Sequence, residues 1–223
     1  MPFIFCVYFL RKNKSKDLKV FFVPTILLFI SIITVITIRY VFKSYTTYLI
    51  FLRFFIVLEF ALISFYFTYH ILNPIANKII RYLLIPFLLF SIYDYLSSIN
   101  KTFPYYPLVL ECLLLPIIIL VFFYERMKHS TKYPIYSSPA FWIAVAFLIF
   151  STGNFFLFLF SKMLIQDLNS KLLYNNIYGF FAISKNVLLC IGIIVAKNYK
   201  GDDERPDINT TLELDTFIPF NKK

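Results

Sequence analysis

YLIFLRFFIVLEFALISFYFTY, residues 48–69, is a run of 22 residues in which only Arg53 and Glu59 carry charge. A lipid core about 30 Å thick is crossed by a helix of roughly 20 apolar residues, each rising about 1.5 Å. The run is long enough to cross. It does not alternate as a barrel strand would, and in hydrocarbon its backbone can satisfy its own hydrogen bonds only as a helix. This stretch decides between a soluble and a membrane fold.

Five further runs, residues 20–38, 82–99, 107–124, 140–161 and 177–196, repeat the pattern. The expected fold is all-α: a polytopic transmembrane helical bundle over residues 1–198, with six spans and a partial N-terminal apolar segment. That segment, FIFCVYFL at residues 3–10, would reach only about 12 Å as a helix, less than half a bilayer. No positive charge precedes it, so it is not read as a cleaved signal peptide. It is expected to be the inner end of a degenerate or truncated first span. Residues 199–223 are polar, acidic in their middle, and expected to form a disordered cytoplasmic tail.

Composition agrees with a membrane setting. Hydrophobic residues make up 60% of the chain and charged ones 15%, against roughly 45–50% and 25% in soluble proteins. The net charge of +10 would suit nucleic acid, but most basic residues flank the apolar runs, where they set topology and meet anionic headgroups. The expected partner is therefore the lipid bilayer and not nucleic acid. Fifteen Lys and Arg fall in the segments 11–19, 70–81, 125–139 and the tail, against five in the intervening loops. The richer side is cytoplasmic, which places the C-terminus inside.

Catalytic signatures are missing. No P-loop, HExxH, CxxC, GxSxG or Gly-rich dinucleotide turn appears, and no enzymatic activity is expected. Cys6, Cys112 and Cys190 match neither a disulfide framework nor a metal spacing and read as small buried hydrophobes. His70 and His129 lie at the cytoplasmic rim, which argues against a haem held between helices. No cofactor or metal is expected.

The charges within the spans carry the functional argument. Arg53 lies about 7–8 Å below the outer start of its helix, and helical side chains lean toward the N-terminus, here outward. It is expected to snorkel. Glu111, about 6 Å from its outer helix end, is expected to be an interfacial carboxylate. Asp94 is short and leans deeper, so it needs a partner or a wet cavity. A hydrogen-bonded Arg53–Asp94 pair would supply one, with Ser91 and Ser98 on the same face.

Glu59 is the deepest of these charges, about 16 Å from the surface and beyond the reach of its own side chain. A central carboxylate costs on the order of 3 kcal/mol on insertion scales, so it must be paired, hydrated or neutral. Tyr48, Glu59, Tyr66 and His70 fall within about 20° of one line along the helix. The stripe reads either as a proton path or ligand-contact face, or as interhelical hydrogen bonding that only holds the bundle together. Lys185, about 12 Å below its boundary, is the natural partner, and a Glu59–Lys185 ion pair is the leading contact expectation. Ser151, Thr152, Gly153 and Asn154 add a compact polar patch. The candidate ligand- or proton-responsive residues are Glu59, Lys185, Asp94, Arg53, Tyr66, His70 and Asn154.

At Pro139-Ala-Phe-Trp142-Ile143 and Ser151-Thr-Gly153-Asn154-Phe-Phe the chain resembles the membrane region of uncharacterised bacterial multi-pass proteins, some of which carry a histidine kinase after the last helix. Tyr48 to Phe67, with Arg53 and Glu59, and Ser184-Lys185-Asn186 share the resemblance, which covers about residues 3–198. It implies a sensory or receptor-like bundle in the inner membrane. This chain departs from that pattern in having no kinase module, so signalling would pass to a cytoplasmic partner. Two alternatives stand beside that reading. One is a small transporter or proton-coupled carrier using Glu59 and Lys185. The other is a structural subunit of a larger membrane complex.

Overall fold

Five helices, each long and apolar enough to cross a membrane, make up almost all of the described chain. They are α1 (Tyr45–His70), α2 (Pro74–Ser97), α3 (Tyr105–Lys128), α4 (Pro139–Leu159) and α5 (Leu168–Asn198), with one 3₁₀ turn, Ile135–Ser137, before α4. The computed structural model describes residues 45–97, 103–128, 134–161 and 168–198, plus positions 33, 34 and 37. No strand occurs among them. These helices are those of an integral membrane protein. The expected span 20–38 (apart from those three positions), the segment 3–10 and the tail 199–223 lie outside the described residues, so five spanning helices are seen where six were expected.

Two helix starts correct the sequence reading. α2 begins at Pro74, not at 82, and the expected loop 70–81 shrinks to Ile71–Asn73. The cause is local. The Asn73 side-chain oxygen accepts from the Ile75 backbone N–H at 2.9 Å, and the Asn77 amide donates to the Ile71 carbonyl at 2.8 Å. Pro74 then supplies the fixed φ of a first helical position. Lys78 and Arg81 therefore stand on helix, where polar side chains near a terminus can reach water. α5 likewise begins at Leu168, nine residues before 177, and carries the polar stretch around Lys171 as helix.

Each helix buries one stripe. On α1 the stripe is Leu49, Arg53, Ile56, Phe60, Ile63 and Phe67; on α4 it is Ala140, Ala144, Phe147, Ser151 and Asn154. These are spacings of three and four, the periodicity of a helix packed along one face. α1 and α2 run antiparallel: Phe60 meets Phe87 at 4.3 Å between ring centres, and two turns away Arg53 meets Asp94. α3 packs on α1 and α2 and also on α4. The most extensive pairing is α4 with α5.

That pairing uses small residues. A Cβ on Gly192 would stand 3.3 Å from Trp142 Cβ, and one on Gly153 would run into the Phe181 ring. Two of the four glycines in the chain therefore lie where these antiparallel helices approach closely, as expected of helices that associate in lipid by van der Waals contact. The Trp142 indole N–H donates to the Tyr136 carbonyl at 2.9 Å and fixes the entry into α4.

Ala144 has no exposed surface, whereas Ile149 on the same helix is 38% exposed. Ala144→Phe is expected to destabilise the bundle by about 1–3 kcal/mol through overpacking, read as a lowered Tm of the detergent-solubilised protein. Ile149→Phe is expected to leave Tm unchanged within measurement.

Candidate functional site

Three levels of polar side chains are stacked along the bundle. The first is a pair. The Arg53 guanidinium on α1 donates to the Asp94 carboxylate on α2 at 2.8 Å, and its carbon lies 5.3 Å from the Tyr95 ring centre. Arg53 is 5% exposed, which corrects the expectation that it snorkels to water. Its side chain is held sideways by α2, where a fixed carboxylate competes with a distant water surface. Ser91 is buried on the Asp94 side of α2 as the spacing suggests, while Ser98 lies outside the described residues.

The second level holds Glu59 and Lys185. The Lys185 ammonium lies 3.5 Å from a Glu59 carboxylate oxygen, with side-chain exposures of 17% and 28% respectively. The same ammonium sits 3.8 Å from the centre of the Phe150 ring and 5.4 Å from that of Phe147. A desolvated ammonium over an aromatic face gains on the order of 2 kcal/mol. α4, which has no ionisable residue, thus contributes the ring faces that help hold this charge out of water.

Glu111 of α3 joins this level. It is 5% exposed and lies within electrostatic reach of both Glu59 and Lys185. Glu111 falls on the buried stripe Glu111, Leu115, Ile118 and Phe122, inside the bundle. Cys112 beside it is a free thiol, also buried.

The third level is aromatic. Tyr66 and His70 are both buried, their rings 4.8 Å apart, and Phe122 of α3 lies 6.4 Å from His70. Along the stripe Tyr48–Glu59–Tyr66–His70 on α1, Glu59 meets Lys185 of α5 while His70 meets Phe122 of α3.

Asn154 of α4 is fully buried. Its amide donates to the Phe150 carbonyl at 2.8 Å, and its side-chain oxygen meets no donor among the described residues. Ser151 and Thr152 bond back to carbonyls of their own helix, at 2.6 Å each. The donors of the α4 patch are therefore satisfied within their own helix, while the Asn154 side-chain oxygen is not. Glu125, buried on the last turn of α3, escaped the sequence reading because it lies just past the apolar run. Among the described residues no group of three or more His, Cys, Asp and Glu is placed to hold a metal.

No family model, curated protein or solved structure matches this chain.

Asp94→Ala removes the carboxylate that Arg53 donates to inside the bundle. The expected cost is on the order of 3 kcal/mol, with most of it recovered in Arg53→Met/Asp94→Leu, because removing both members leaves no unmatched charge. Thermal unfolding in detergent, compared across the single and double variants, checks both expectations.

Proposed function

We propose that this protein is a sensory-type membrane bundle without catalytic chemistry of its own, in which the Glu59–Lys185 pair is a ligand- or proton-responsive latch. The observation that carries this reading is the kind of contact involved. α5 packs mainly on α4, and α1 packs on α2 and α3. What joins α1 to α5 most directly is an ion pair, Lys185 to Glu59. Packed seams such as α4–α5 resist small changes of state, because close-packed side chains have few alternative arrangements. An ion pair responds differently. A proton or a competing charge removes its attraction while leaving both helices packed against their other neighbours. The positive-inside bias puts the His70 and Asn198 ends on the cytoplasmic side, where α1 and α5 would present the change to a signalling partner.

A second reading is favoured by the grouping of Glu59, Glu111 and Lys185 at one level: a small proton-coupled carrier, with the carboxylates as proton acceptors. Proteoliposomes separate the two readings, since a carrier gives a proton flux abolished by Glu59→Gln and a sensor gives none.

The latch is tested by pulsed-EPR distances in lipid nanodiscs. Tyr69 and Ile194 are both well exposed, and spin labels on Tyr69→Cys and Ile194→Cys would report from α1 and α5 in a background lacking the native cysteines. Glu59→Gln and Lys185→Met are each expected to displace or broaden the distance distribution by about 2 Å or more, the scale of helix shifts in switching proteins. Distributions unchanged in both variants would overturn the latch.

A further inference from the structure

α5 has two unlike sides. One buries Leu189, Ile193 and Ala196, sets Gly192 against Trp142 of α4 and sends Lys185 to Glu59. On the other, Leu172, Asn176, Gly179, Ile183, Asn186 and Cys190 follow one another at alternating spacings of four and three. At 100° per residue these six form a strip about 80° wide, turned away from Lys185 and Gly192. Leu172 and Ile183 are more than half exposed, and Asn176 and Asn186 are exposed with them.

Two residues of the strip do not suit a surface left to lipid. Asn186 lies near the middle of the apolar run 177–196, about 14 Å from either end. Its single methylene cannot carry the amide to water, and it makes no hydrogen bond among the described residues. An unmatched amide in hydrocarbon is costly. Gly179, two turns away on the same line, is the second. Glycine weakens a helix relative to alanine, and a Cβ here would meet nothing within 4 Å. Gly153 and Gly192 each make room for a neighbouring helix. Among the described residues, nothing uses the room that Gly179 leaves.

We propose that this strip is the seam of a parallel α5–α5 pair between two copies of the chain, joined at mid-membrane by their Asn186 amides. Alternating spacings of three and four are the repeat by which two helices interlock along their length. Copies of one chain insert in the same orientation. A two-fold axis along the membrane normal therefore sets each Asn186 opposite its own counterpart at equal depth. An amide carries both donors and an acceptor, so it is its own complement, which acyl chains are not. Gly179 lets the two backbones approach, as small residues do where helices associate in lipid. The seam is independent of the latch, because Lys185 points to the opposite side of α5.

Cross-linking of the full chain in proteoliposomes tests the seam. With Cys6 and Cys112 replaced by Ala, native Cys190 is expected to give a disulfide-linked dimer on mild oxidation. Ile183→Cys is expected to do the same once Cys190 is also replaced. Phe180→Cys, 66% exposed but about 80° from the centre of the strip, is expected to stay largely monomeric. Energy transfer between separately labelled copies, followed as lipid is added, then gives the strength of association. Asn186→Leu is expected to weaken it about tenfold, while Asn186→Gln keeps most of it. Gly179→Ile is expected to weaken it with an unchanged Tm, since its side chain enters open space in the single chain. Monomers at both strip positions overturn the proposal, the outcome if the run 20–38 or lipid alone covers this face. Equal cross-linking at Phe180→Cys also overturns it, as random collision. A dimer indifferent to Asn186→Leu overturns the amide-centred seam.

Discussion

Lys185 stands with its ammonium 3.5 Å from Glu59 and 3.8 Å above the Phe150 ring, so one cation engages α1, α4 and α5 together. The constraint behind this arrangement is the cost of charge in hydrocarbon. A lysine and a carboxylate facing acyl chains would each cost several kcal/mol, and pairing them against a ring face removes much of that penalty. The same constraint turns Arg53 toward Asp94, since a guanidinium matched at 2.8 Å within the bundle need not stretch to the surface. Two of the helix relationships, α1 with α2 and α1 with α5, thus include a requirement of charge matching in addition to shape.

The rest of the bundle is held differently. Where α4 meets α5, Gly192 lies under Trp142 and Gly153 under Phe181, and buried alanines line the same helix. Lipid is as apolar as leucine, so these helices gain little by hiding surface and associate through close contact. The Lys185–Glu59 ion pair ties α5 to α1 in addition to this packing.

Residue by residue, the sequence was informative where chemistry alone sets the outcome. Glu59 lies too deep to escape, and the one lysine at comparable depth became its partner. Asp94 is too short to snorkel, and it found the arginine of the neighbouring helix. Arg53 and Glu111 were harder to place, because depth alone permits either a surface or an interior position. The choice depends on which way the helix is rotated, and that rotation is set by packing: Arg53 shares a stripe with Ile56 and Phe60, and Glu111 with Leu115 and Ile118. The early start of α2 was hidden for another reason, since Asn73 and Pro74 form a helix start that polar residues continue before the apolar run begins.

By itself, then, the amino-acid order determined that apolar helices cross a membrane, because hydrocarbon leaves the backbone no other way to satisfy its polar groups over such lengths. It also named the charges that need company. Only the tertiary structure decided which charges meet and which face inward. Those outcomes depend on how the helices are rotated and spaced against one another, and no single helix encodes that.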